Sequence, residues 1–191
     1  MQPKPVLLAF DTSAAHCAAA LLFGDRVVTR VDPMAKGQAE HLMPMLEDVL
    51  SAQGLGWRDL DGIGVGVGPG NFTGIRIALS AARGLTLGLG KPAIGVNGFD
   101  ARALGEALPY TATIPAPRDQ SYVQHFTADG PDSPLQIAEP ALPQKPADDL
   151  IGAVARIAAS RLHSEIQRPT PLYMRSADAA PPRDPAPLLL P

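Results

Sequence analysis

Residues 66–76 carry the clearest chemical signal in the chain: Gly66-Val67-Gly68-Pro69-Gly70-Asn71-Phe72-Thr73-Gly74-Ile75-Arg76. A β-branched run, Ile63 to Val67, enters closely spaced glycines and a proline, and a long apolar helical pattern follows. Glycine permits backbone angles and close approaches that a Cβ forbids. Asn71 stands where a cap accepts a bond from an orphan N–H of the helix it opens. Gly68, Gly70, Asn71, Thr73 and Gly74 therefore form a structural motif. Such a joint turns N–H groups and the positive end of a helix dipole outward, which suits an anion or a docking surface; the plainer alternative is a tight strand-to-helix turn. The spacing is neither GxGxxG with a distant acid nor GxxxxGK[ST], so the dinucleotide and P-loop readings do not apply.

Other chemistries are thinly supplied. Cys17 is the one cysteine, which excludes an intrachain disulfide and a CxxC metal site and fits a reducing compartment. It lies in an Ala-rich strand pattern and reads as an inert buried thiol. His16, His41, His125 and His163 are too widely spaced to make a local metal motif. The 191 residues carry a net charge of −3, with no Lys/Arg run longer than a pair. A chain gripping RNA alone needs a basic stripe, so any RNA would be held mostly by another chain.

The elements that must position these residues follow from periodicity. Strands are predicted over residues 6–11, 17–23 and 26–31, the latter two turning at Gly24-Asp25. A helix is predicted over 38–53, with Leu42, Met45, Leu46 and Val49 on one stripe and Pro44 expected to kink or delay it. A strand over 61–68, the helix opened by Asn71 and running to 89, a strand over 92–97 and a helix over 99–108 complete an α/β unit. Three antiparallel strands followed by alternating helix and strand is the order of a ribonuclease-H-like lobe, although the pattern alone fixes only the α/β class. Fifteen of the 21 prolines lie after residue 100. Strands over 110–114 and 121–127 and a helix over 147–162 are predicted there, with 130–146 turn-rich. The chain thus divides into a first lobe, 1–108, a small second lobe, 109–176, and a Pro/Ala-rich tail, 177–191, which is too poor in buried apolar area to order itself.

The second helix has more apolar surface than one sheet can cover. Only Arg76, Ser80 and Arg83, with Leu87, form a polar-leaning stripe. A helix packed on one sheet needs an apolar arc of roughly 100°. Gly74, Ala78, Ala81, Gly84 and Gly88 keep much of the rest flat. On the first helix, Met43, Glu47 and Leu50 form a second face with two hydrophobes expected to be exposed. The surplus marks a partner site built from Met43, Glu47, Leu50, Arg76, Ile77, Ser80, Ala81, Arg83 and Gly84, with Arg76 and Arg83 able to pair with Glu47 or with partner acids. The longest near-apolar stretch, residues 77–90, is interrupted by Ser80 and Arg83 and is too short to span a bilayer. The start of the chain shows no signal-peptide pattern, so a soluble, cytoplasmic protein is expected.

Four stretches together resemble the bacterial TsaB (YeaZ) family: residues 8–13, LAFDTS; Glu40-His41-Leu42 with Pro44; the glycine motif 68–76; and residues 91–96, KPAIGV. The resemblance covers residues 6–108 well and continues weakly through Tyr122 and residues 171–175. Asn71 stands where the family usually has serine, and both are competent caps. The resemblance implies an actin-like ATPase (ribonuclease-H-like) fold of two lobes, the second shortened here, with Pro115-Ala116-Pro117 where the family usually starts with Asp-Ala-Arg. It also implies a non-catalytic paralogue of TsaD, the subunit that transfers threonylcarbamoyl to the tRNA adenosine beside the anticodon. Partnership would be with TsaD through the first two helices, with TsaE and tRNA through the complex, and with a second copy when alone; TsaC would supply the donor. TsaD holds its metal with an HxxxH motif after the strand matching 92–96. Here Gly98 and Arg102 stand in those positions, so no metal is expected. Asp11, Thr12 and Ser13 occupy the place of a nucleotide site, but the following turn lacks the glycine that lets phosphates approach. Asp11 is thus expected to brace the turn, with the Thr12 and Ser13 hydroxyls in local turn bonds. No cofactor and no catalytic residue are assigned. The competing class, a small ATP-dependent kinase of the actin-like type, lacks all its requirements save Asp11. A metallopeptidase reading fails on the absent histidine pair.

Overall fold

A computed structural model describes residues 4–164 and 166–174; the tail expected over 177–191 lies outside the described residues. The amino-terminal half builds a five-stranded sheet. Its strands are β1 (Leu7–Asp11), β2 (His16–Phe23), β3 (Arg26–Pro33), β4 (Gly62–Gly66) and β5 (Ala93–Val96), in the order β3-β2-β1-β4-β5. β1, β2 and β3 pair antiparallel, whereas β4 lies parallel to both β1 and β5. This is the actin-like, ribonuclease-H-like arrangement.

Alternation along the strands sends successive side chains to opposite faces, and both faces are covered. On one, Leu8, Phe10, Ala19 and Leu21 meet α1 (Gln38–Ser51) and α2 (Phe72–Leu89) through Leu42, Met45, Leu46, Ile75, Ala78 and Leu79. On the other, Leu7, Ala9, Ala18 and Ala20 meet α4 (Ala147–Arg161) through Ile151, Val154, Ala155 and Ala158. Each large aliphatic residue removed from water in these layers contributes about 1.5–3 kcal/mol. Proline content puts α4 in the second lobe. It packs instead on the first sheet, because its apolar stripe is the surface that fits the small-residue face of β1 and β2. Gly64 lets it approach, since a Cβ there would lie 3.0 Å from the Ala158 methyl.

The second sheet is four-stranded and antiparallel: β6 (Tyr110–Ala116), β7 (Gln120–Thr127), β8 (Gly130–Pro131) and β9 (Leu135–Ile137), with β8 and β9 both on β7. These last two short strands fall in the stretch expected to be only turns. α3 (Gly98–Ala103) joins the sheets, its Phe99 fully buried against Ala112, Ile114 and Tyr122. It ends at Ala103, five residues short of the expected 108.

Two expectations about α1 need correction. Pro44 does not delay the helix, which already starts at Gln38 and includes Pro44. Glu40 and Pro44 are both exposed, so the carbonyl left without a helical partner is open to water. Leu50, expected on the outer face, is 1% exposed. After α1 the chain turns back through Gly54 (φ +68°) and Leu55 donates its N–H to the Leu50 carbonyl; Leu60 joins the core cluster that holds Leu50, with Leu55 and Trp57 packed against it.

Candidate functional site

The turn after β1 is where the glycine motif and the Asp11-Thr12-Ser13 stretch meet. The Asp11 carboxylate accepts from the Ser13 N–H and, at 3.0 Å, from the Ser13 hydroxyl, a local brace of the expected kind. Thr12 differs from expectation. It is fully buried, and its hydroxyl donates to the Gly74 carbonyl at 2.6 Å, so it ties β1 to α2 rather than closing its own turn. The Asn71 N–H donates to the Ser13 carbonyl at 2.7 Å, and the Asn71 side chain caps α2 by accepting from the Gly74 N–H at 2.9 Å.

The glycines make this contact possible. A Cβ on Gly74 would lie 1.9 Å from the Thr12 carbonyl oxygen, and one on Gly70 would lie 2.4 Å from that of Ser13. Gly68 has φ +92°, and its carbonyl accepts from the Gly98 N–H at 2.8 Å. From the other helix, the Gln38 amide reaches the carbonyls of Ala14 at 2.8 Å and His16 at 2.7 Å. The motif is thus a clamp: α1 and α2 are locked to one turn, and hence to each other.

The clamp fixes the outward faces of the two helices. Between them runs a shallow groove of about 460 Å³, lined chiefly by Met43, Phe72, Arg76, Ile77, Ser80 and Ala81. Met43 is 39% exposed, Ser80 and Gly84 are exposed, and Leu87 farther along α2 is 88% exposed. A Cβ at Gly84 or Gly88 would meet nothing within 4 Å. Glu47 is exposed on α1.

Arg76 and Arg83, by contrast, are engaged by their own chain. The segment 166–174 runs beside α2, meeting it at Arg83 and Arg76, with the Leu172 N–H bonded to the Val67 carbonyl at 2.8 Å. Arg76 stacks on Phe72 at 3.9 Å and donates to the Tyr173 hydroxyl at 3.1 Å. Arg83 donates to the Pro169 carbonyl at 2.9 Å, and neither arginine pairs with Glu47. Sequence reasoning missed this strap because it has no periodicity of its own.

At the positions of the missing histidine pair, the two replacements bond each other: Arg102 Nη1 donates to the Gly98 carbonyl at 2.9 Å. Among the described residues no three His, Cys, Asp or Glu side chains gather into a metal-binding group.

The profile of the family described as TsaD, tRNA N6-adenosine threonylcarbamoyltransferase, matches residues 33–129, just over half of the chain. The chain belongs to the TsaD family, in its TsaB (YeaZ) branch. A Haemophilus influenzae protein called tRNA threonylcarbamoyladenosine biosynthesis protein TsaB is 34% identical over 123 residues, 61% of this chain and 51% of that one. The protein of the same name from Escherichia coli is 34% identical over 99 residues, 52% of this chain and 43% of that one. This TsaB-type chain therefore spans about half the length of the curated relatives it matches. A solved Pseudomonas aeruginosa structure, described as similar to peptidase YeaZ, superposes with a TM-score of 0.71 at 27% identity, over 90% of this chain and 100% of that one. No described helix of this TsaB-type chain is long and apolar enough to cross a membrane.

Proposed function

We propose that this chain acts in tRNA threonylcarbamoyladenosine biosynthesis as a non-catalytic subunit that binds a TsaD-type transferase through α1 and α2. Docking there favours the transferase conformation competent to pass threonylcarbamoyl to the tRNA adenosine, a shift in population rather than a chemical step. TsaE and the tRNA join through the complex, TsaC supplies the donor, and without the transferase two copies meet through the same face.

The observation that carries this reading is the outer face of the helix pair. Met43, Ile77, Ala81, Gly84 and Gly88 present a flat, largely apolar surface that neither the second sheet nor the 166–174 strap covers. Surplus apolar surface on a folded domain marks a partner site, and small residues let a second helix pack close to this one. The names of the relatives supply the process in which the partner would be found. The test is a tRNA modification assay containing the transferase, TsaE, the TsaC-made donor and ATP. Threonylcarbamoyladenosine is expected with the chain and only a trace without it; equal modification in its absence contradicts the proposal.

A further inference from the structure

Between the two sheets lies a second hollow, a cleft of about 520 Å³ that shares no lining residue with the α1–α2 groove. Most of its wall is apolar: Val96, Ile114, Tyr122, Leu150, Ile151 and Val154. Three charged side chains also line it, Asp11, Arg102 and Lys145. Lys145 has a counter-charge, its Nζ lying 2.6 Å from Glu106 Oε1, whereas Asp11 bonds only the neutral N–H and hydroxyl of Ser13.

Arg102 has no counter-charge in contact. Its Nη1 and Nε bond neutral acceptors, the Gly98 carbonyl at 2.9 Å and Gln144 Oε1 at 3.0 Å. Among the described residues no carboxylate comes within 4.0 Å of its guanidinium. Burial pushes its pKa below the usual value, while the more distant Asp11 opposes that push. This half-buried guanidinium has donors to spare and faces an apolar hollow with no carboxylate in contact, Asp11 of the same cleft acting on it only at longer range.

We propose that this cleft binds a small organic anion, with one oxyanionic head on Arg102 and an aromatic or branched apolar body against Ile114, Tyr122, Leu150 and Val154. A guanidinium matches the oxygens of a carboxylate or phosphate monoester, and such charge-assisted bonds strengthen where water is excluded. The volume and the mostly apolar wall are those of a small-molecule site. The same residues disfavour a metal-nucleotide here: Arg102 repels a cation, and the turn at Ala14-Ala15 has no glycine for phosphates to approach. The inference stands apart from partner docking.

The test uses the full chain and four probes: phenyl phosphate, phenylacetate, benzyl alcohol as the uncharged body, and inorganic phosphate as the head alone. Calorimetry is expected to show saturable binding of both aromatic anions, with the alcohol and the bare phosphate weaker by about tenfold or more, one charge-assisted bond or one buried ring being worth at least that. Arg102→Gln is expected to remove the preference for the anions, and Arg102→Lys to keep part of it. Equal binding of benzyl alcohol, an unchanged preference in Arg102→Gln, or Mg-ATP displacing phenyl phosphate each overturns the proposal. Because Arg102→Gln also removes a brace to Gln144, the Arg102 Nε–H resonance of the unaltered chain gives an independent reading. It is expected to move with phenyl phosphate and not with benzyl alcohol; a resonance that stays still overturns the proposal whatever the variants do.

Discussion

The Thr12 hydroxyl donates to the Gly74 carbonyl at 2.6 Å, and the Thr12 carbonyl in turn lies where a Cβ on Gly74 would come within 1.9 Å of it. Two pieces of backbone 62 residues apart are therefore in direct contact, and the contact requires glycine. Gly74→Ala forces β1 and α2 apart, because the clash is with backbone and no side chain can swing away. A loss of about 3 kcal/mol or more is expected from urea denaturation. Gly84→Ala and Gly88→Ala meet open space in the same helix and should instead stabilise by about 0.5–1 kcal/mol through helix propensity. Similar midpoints for all three variants would remove the clamp from the account.

The cap makes a finer prediction. Asn71 Oδ1 accepts from the Gly74 N–H at 2.9 Å. Asn71→Ala is expected to cost about 1 kcal/mol, and Asn71→Ser only a few tenths, since a hydroxyl serves the same orphan donor. Thermal denaturation of the two variants side by side checks the ordering.

Much of the first lobe was readable in advance because its pieces are locally determined. Ile63 to Val67 reads as a strand, Asn71 as a cap and Gly68 as a position needing unusual backbone, each from a short window. What was not readable depended on distant segments. Leu50 reads as outward-facing from periodicity alone, whereas the turn after α1, closed by the Leu55 N–H on the Leu50 carbonyl, lies in the same apolar cluster as Leu50. The Thr12 bond to Gly74 could not be told from a local turn bond without the fold. Proline content places α4 in the second lobe because it reports on loops and not on which sheet face a helix covers. Arg76 and Arg83 read as partners for Glu47 or for partner acids because the strap that holds them has no regular pattern. Arg102 was noticed only as an absence of histidine, and its place in a cleft with Gln144 and Lys145 needed the second sheet.

Met43 and Leu50 lie two helical turns apart on α1 and should behave oppositely. Leu50, 1% exposed, is core, and Leu50→Ala is expected to cost about 2–5 kcal/mol. Met43, 39% exposed, is only partly covered, so Met43→Ala should cost clearly less than Leu50→Ala. Urea midpoints decide it, and a large loss at Met43 would place that side chain in the core instead of on a docking face.

Cys17 is fully buried, its Sγ 3.7 Å from Met34 Sδ. Burial first, then the charges of Asp32 and Asp11, push its thiol from 9.0 up to about 11. The folded state therefore holds the thiol proton more tightly than the unfolded chain does. Stability from this source is intact below pH 9 and declines as the pH rises from 9 towards 11. At pH 8 the native chain should resist iodoacetamide while the urea-unfolded chain is alkylated promptly, as intact mass will show. Prompt alkylation of the native chain would mean the strand around Cys17 opens readily.

The central claim, that the outer face of α1 and α2 is the docking surface, is tested most directly by light scattering of the chain mixed with a TsaD-type transferase. The unaltered chain is expected to run at the mass of a one-to-one complex. A Met43→Asp, Ala81→Glu double variant with an unchanged urea midpoint is expected to run as separate subunits. A complex of full mass formed by that variant would contradict the account.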